Sequence, residues 1–230
     1  MEYAWLTWSI IILIVWVIIY LTNRRLRKQM LRVSLWTMLF GLTEPLFVPE
    51  YWNPPTLFDL AEKTGFDIES LIFAFSVGGI GSVLYGLINR SDIEPLHKIE
   101  RSSKRHRVHF YILLTPFIVF LLLALFTNLN HIYCGILAMF LGALSTLFCR
   151  PDLFKKIWIG GISFLILYFI FFEILNLMYP GYVDIVWNLK ALSGIIVLGI
   201  PLEELLWGFT FGMYWSSIYE HLFWYKVIQK

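Results

Sequence analysis

The residues most able to do chemistry in this chain are glutamates set in apolar surroundings. Glu44, Glu69, Glu173, Glu203 and Glu204 all fall within or at the ends of strongly hydrophobic stretches. An ionisable group in such a stretch is costly to place in lipid and marks a functional site by default. No lysine or arginine shares those stretches, so the carboxylates must divide protons among themselves under desolvation and mutual repulsion. A site with one ionised and one protonated carboxyl is what general acid–base catalysis requires. Pro201 is well suited to open a helix, which would place Glu203 among its free amides and favour the anion there. Aromatics follow at helical spacing: Phe73 lies four residues after Glu69, while Trp207, Thr210 and Tyr214 extend the Glu203 face. Aromatic faces stabilise a nearby cation without acting as nucleophiles. Trp207, Phe73 and Tyr214 are therefore the candidate substrate-binding residues.

Other chemistries fit poorly. The two cysteines, Cys134 and Cys149, lie in apolar runs and give no disulfide framework or zinc-type spacing. Of the five histidines, His97, His106, His109 and His221 fall at one set of span ends and His131 alone at the other. That distribution predicts no metal ligand set. No flavin, nicotinamide or other cofactor motif is visible. The Gly78-Gly79-Ile80-Gly81 run lies within a helix and has no preceding strand, so it reads as a close helix-packing surface. A retinal protein would need a lysine in the middle of its last helix, and Lys190 precedes it.

The elements that must hold these groups are membrane helices. The chain has 230 residues, of which 59% are hydrophobic and 15% charged, and a soluble domain of this size would carry about 25% charge. Apolar stretches long enough to cross a bilayer place spans at 4–21, 33–48, 68–88, 108–126, 131–148, 157–178 and 193–219. The last is too long for one crossing and should break at Pro201. Thr115-Pro116 reads as a tolerated kink. Of the 18 lysines and arginines, 16 fall on one set of connections, leaving Lys63 and Lys190 on the other. This asymmetry predicts a cell-membrane, multi-pass protein with its N-terminus outside and its C-terminus in the cytoplasm. The short juxtamembrane basic runs suit lipid headgroups and not nucleic acid. Glu220, at the inner end, reads as interfacial.

The chain also repeats itself. Residues 67–78 (DIESLIFAFSVG) align with 201–212 (PLEELLWGFTFG), and the register continues to Tyr85 against Tyr219. Upstream, Glu44 before Pro49 and Trp52 parallels Glu173 before Pro180 and Trp187. The fold class expected is all-α: about seven transmembrane helices, two parallel three-helix repeats joined by a fourth helix. The first repeat covers about 1–90, the linker loop and fourth helix about 91–130, and the second repeat about 131–230. In such folds the functional site sits between the copies.

The Pro201–Trp207 segment (PLEELLW) resembles the signature of the lycopene cyclase domain family of integral-membrane proteins, in its fused two-repeat form. In that family a Pro-x-Glu-Glu pattern recurs in each half. The resemblance implies a membrane enzyme acting on a carotenoid or other isoprenoid polyene. An acid protonates a terminal double bond, the carbocation closes a ring or is quenched by water, and a base removes a proton, with no net redox change. Glu203 and Glu204 carry over from the motif, and Glu69 matches its first glutamate in copy one. Asp67-Ile68-Glu69-Ser70 departs from the pattern, lacking the proline and the second glutamate. Two other classes share the topology: a small-solute or proton-coupled transporter, and a non-catalytic membrane subunit. The implied partners are an apolar polyene or isoprenoid lipid and membrane lipids, and the oligomeric state is left open.

Overall fold

The computed structural model describes residues 1–228. It is an all-α membrane protein. Its helices are α1 (Ala4–Thr22), α2 (Arg27–Met38), α3 (Leu60–Thr64), α4 (Ile68–Ile88), α5 (Lys98–Arg101), α6 (His109–Phe126), α7 (His131–Cys149), α8 (Phe154–Met178), α9 (Tyr182–Val186) and α10 (Leu202–Phe223). Among the described residues, α1, α4, α6 (counted with the 3₁₀ turn before it), α7 and α8 (likewise) are long and apolar enough to cross a membrane.

Helix α1 shows why lipid is the solvent. One side buries Trp5, Trp8, Ser9, Ile12 and Trp16, while Ile10, Ile14, Val17, Ile18 and Leu21 on the other remain exposed. A helix apolar all round cannot face water. Helix α6 repeats the pattern with Phe117, Ile118, Leu121, Leu122 and Leu125 outward, and Pro116 is accommodated inside it without ending it.

Two expected spans differ from their sequence reading. The 33–48 stretch is not a single α-helix: α2 starts earlier, in the basic run at Arg27, and gives way to a 3₁₀ segment, Leu39–Leu46, with Pro45 inside it. Proline removes an amide donor and crowds the preceding turn, and the tighter turn accommodates this. The 193–219 stretch is helical only from Leu202. Before it, β2 (Ile196–Val197) and β3 (Ile200–Pro201) pair antiparallel about Leu198 and Gly199, both at positive φ. The break expected at Pro201 thus falls where the hairpin ends.

The contacts divide the chain into two units, each assembled from separate stretches. The first comprises residues 1–80, 130–132 and 167–205. Its helices pack on small residues. A Cβ on Gly79 would stand 2.2 Å from Ser34 Oγ and 2.4 Å from Trp16 Nε1, and one on Gly41 would stand 2.8 Å from the Ser70 carbonyl. The glycine run is therefore a packing surface, as expected. An aromatic core fills this unit: Trp8 stacks on Phe171 with ring centroids 4.7 Å apart, and its indole donates to the Phe171 carbonyl at 3.1 Å.

The second unit comprises residues 81–129, 133–166 and those from Leu206 onward. It holds a short antiparallel ladder, β1 (Asp92–Pro95) against β4 (Tyr225–Ile228), which periodicity did not reveal. A file of stacked rings runs along α10, Trp207 on Phe211 at 4.8 Å and Phe211 on Trp215 at 4.4 Å. Glu220 is not interfacial: it is fully buried and ion-paired with buried Lys156. An apolar groove of about 630 Å³ lies along α6 and α7, lined by Thr115, Val119, Leu141, Leu144, Ser145, Leu147 and Phe148.

Candidate active site

All five singled-out glutamates fall in the first unit, and four of them have close neighbours that define their chemistry. Glu69 and Glu203 occupy the second position of α4 and of α10, in the same relation to their helix starts. Each accepts a backbone N–H from the loop that precedes its helix. Leu57 N donates to Glu69 Oε1 at 2.7 Å, and Ser193 N donates to Glu203 Oε1 at 2.8 Å. Both carboxyl groups are buried at a helix N-terminus.

Glu204 has a different environment. Three donors converge on its carboxyl group. The Tyr51 hydroxyl and Trp187 Nε1 (2.8 Å) donate to Oε1, and the Tyr168 hydroxyl donates to Oε2 at 2.6 Å. All four side chains are buried. No cation pairs with Glu204 among the described residues. A carboxylate that receives donors on both oxygens, all from neutral side chains, is configured to hold an anion in a poorly hydrated place. Burial, reinforced by the neighbouring Glu204 carboxylate, keeps the Tyr51 phenol well above its ordinary pKa, so it remains a donor.

The walls around this carboxyl are aromatic. Trp187 lies 5.3 Å from Trp52 and 5.4 Å from Phe172 by ring centroids, Tyr168 lies 6.1 Å from Trp8, and Trp5 lies 4.7 Å from Trp52. Phe73 belongs to the same group, 5.2 Å from Trp5 and 5.7 Å from Trp8. The loops that bring these rings in are tied together by an antiparallel bridge between Trp52 and Trp187, the two tryptophans matched by the repeat. Asn53 N donates to the Val186 carbonyl at 2.8 Å and Asn188 N to the Tyr51 carbonyl at 2.9 Å. The repeat-related loops therefore meet as a reciprocal pair.

Glu44, in the 3₁₀ segment, is buried beside Asp67, Ser70 and Trp52. Asp67 caps α4: its carboxyl accepts from the Ser70 amide and, at 3.0 Å, from the Ser70 hydroxyl. Burial holds the Asp67 carboxyl above its ordinary range. Glu173 stands apart. It is half-buried, and at 100° per residue it lies on a different face of α8 from Tyr168 and Phe172. None of its hydrogen bonds among the described residues reaches the other carboxylates. Trp207 and Tyr214 belong to the second unit, Trp207 in the stacked file of α10 and Tyr214 beside Trp215 and Gly142.

The residues that sequence reasoning missed are Tyr51 and Tyr168. They are 2 among 12 tyrosines, with no motif around them. Trp187 was visible only as a marker of the repeat.

The site's principal carboxylates and Trp187 lie in one stretch of sequence. Residues 130–222 match the lycopene cyclase family model. The resemblance first seen in PLEELLW thus extends over the second repeat, from α7 to the end of α10, and includes Tyr168, Glu173, Trp187, Glu203 and Glu204. No curated protein and no solved structure matches the chain. The protein is accordingly a membrane protein whose residues 130–222 are similar to the lycopene cyclase family.

Proposed function

We propose that the chain catalyses a redox-neutral, acid–base transformation of an isoprenoid polyene end group, either cyclisation or hydration, at the carboxylate–aromatic cluster of the first unit. The observation that carries this reading is the triple donation to buried Glu204 inside aromatic walls. Glu204 serves as the fixed anion, stabilising positive charge and accepting the final proton. Glu203 serves as the proton donor, buried at the start of α10 with its Oε1 accepting the Ser193 amide. Glu69 and Glu44 support the charge balance, Glu173 has a secondary role, and Phe73 contacts the apolar substrate.

The reaction balances without a redox partner. The Glu203 proton adds to a terminal carbon–carbon double bond and leaves a tertiary carbocation. The electrons of a second double bond close the ring and move the charge, and Glu204 removes a proton to restore an alkene. In hydration, water adds to the first cation and the resulting oxonium loses a proton to Glu204. The rings of Trp52 and Trp187 offer aromatic surface to the cation and no nucleophile to trap it.

Membrane placement belongs to the same proposal. The 27–46 helical stretch and α10 complete seven crossings. The 16 basic residues on one set of connections orient the chain with its N-terminus outside the cell membrane. Expressed in a polyene-producing host, the chain should convert the acyclic pigment to a cyclised or hydrated product. Glu204→Gln should lower that conversion by about 10²-fold or more while the protein still inserts in normal amount. Equal product from wild type and Glu204→Gln would refute the assignment.

A further inference from the structure

The second unit carries a cluster of a different kind, built from residues that the acid–base chemistry leaves unused. His106 lies in the 3₁₀ turn before α6, His109 is the first residue of α6, Cys149 ends α7 and His221 is near the end of α10. His106 Nδ1 is 3.0 Å from Cys149 Sγ, and His109 Nδ1 is 3.4 Å from it. The three ligand atoms all lie within 4.8 Å of one another. From this arrangement we infer that His106, His109, Cys149 and His221 bind one thiophilic transition-metal ion of the zinc class.

The separations fit that ion. Tetrahedral zinc with Zn–N of about 2.0 Å and Zn–S of about 2.3 Å places neighbouring N and S ligand atoms about 3.5 Å apart. The observed 3.0 and 3.4 Å need only a few tenths of an ångström of opening. A thiolate with imidazoles is also a ligand set that selects such metals over magnesium or calcium, which take oxygen.

His221 supplies an independent observation. It is 1% exposed, and its ring centroid is 4.7 Å from that of His109. The Thr146 hydroxyl donates to the Gly142 carbonyl at 3.0 Å and lies 3.3 Å from His221 Nδ1. With the hydroxyl proton so directed, the imidazole donates from Nδ1, and the lone pair is on Nε2. That Nε2 is buried and has no hydrogen-bond partner. A ring nitrogen held by an outer hydrogen bond while the other waits with a free lone pair is the usual arrangement of a metal-ligating histidine.

The surroundings hold the ligands in place. Trp224 stacks on His109 with centroids 4.0 Å apart and meets His106 edge-on at 4.9 Å. Arg150, next to Cys149, does not oppose a cation with an uncompensated charge. Its guanidinium is bound by both Asp152 carboxylate oxygens, at 2.9 and 2.6 Å, and donates to the Glu220 and Tyr225 carbonyls. With His221 turned to the ion as fourth ligand no open position is left, so the ion would join the ends of α6, α7 and α10 and do no chemistry of its own.

The test uses the full chain in detergent, stripped with chelator and titrated with Zn²⁺ or with Co²⁺ as a spectroscopic substitute. One equivalent should bind and raise the thermal midpoint, and Co²⁺ should show a thiolate-to-metal charge-transfer band. Cys149→Ser should remove that band, and His221→Ala should weaken Zn²⁺ binding at least about tenfold, whereas exposed His97→Ala should change neither. If Cys149→Ser fails to fold, His106→Gln replaces it and should also weaken binding at least tenfold. Absence of saturable one-to-one binding, or equal binding by wild type, His221→Ala and His106→Gln, would overturn the site.

Discussion

The starts of α4 and α10 both carry a buried glutamate at the second helical position and differ on either side of it, at Asp67 against Pro201 and at Ser70 against Glu204. In each, the second helical residue is a buried glutamate, Glu69 or Glu203, that takes an amide from the preceding loop. In each, a repeat-matched tryptophan, Trp52 or Trp187, stands beside a carboxyl group. The next residue separates them. Ser70 turns inward to Asp67 and completes a helix cap, whereas Glu204 is a second carboxylate that collects three neutral donors. One start is thus a closed structural cap, and the other holds the polarised group that the proposed carbocation reaction needs. The side chains at the matched positions, not the helix starts themselves, separate the two chemically.

The comparison can be broken most directly at the paired glutamates. Glu203→Gln should reduce conversion of a polyene by about 10²- to 10⁴-fold, as loss of a general acid does, while Glu69→Gln should cost no more than about tenfold. Product assay in a polyene-producing host reads both, and equal losses would place the reactive centre on the two copies together. A smaller effect is expected at Tyr168→Phe. Removing one donor from a buried carboxylate costs about 1.5–3 kcal/mol, which corresponds to roughly 10- to 100-fold in rate if the anion works in the transition state. Wild-type turnover by that variant would sever the donor set from the chemistry.

On the capping side, Ser70→Ala should leave turnover within about twofold and lower stability by about 1 kcal/mol, the scale of a lost cap interaction, measured as a thermal midpoint in detergent. The subtlest difference is in pH dependence. Burial raises the Asp67 carboxyl above its ordinary range, so the folded state binds that proton more tightly than the unfolded chain does. Its contribution is full at pH below the ordinary aspartate range and is lost as pH rises through the raised folded value. Wild-type stability should therefore decline across that window, and Asp67→Asn should flatten the decline. An unchanged slope would mean that Asp67 is not the titrating group.

How much could be read without coordinates differs by element. The crossings of α1, α4, α6, α7 and α8 were legible because apolarity sums along the chain and needs no partner. The packing role of Gly78 and Gly79 was legible because a bare backbone invites close approach. The 3₁₀ path at Leu39–Leu46 and the hairpin before Leu202 were not, since the same apolar residues serve either conformation and proline and glycine geometry chose between them. The burial of Glu220 escaped notice because its partner, Lys156, is 64 residues away.

The same division runs through the candidate site. The sequence alone determined that the chain lives in lipid, that residues 67–78 resemble 201–212 and that glutamates stand at the start of both helices, because composition and helix position are local properties. Only the tertiary structure decided that Tyr51, Tyr168 and Trp187 meet on Glu204, from 153, 36 and 17 residues away. Three histidines and a cysteine from α10 and the adjoining ends of α6 and α7 likewise share one corner only once folded. A hydrogen-bond donor or a metal ligand has no meaning until its partner is within about 3 Å, and distances of that kind are set by how helices cross, which no stretch of sequence records by itself.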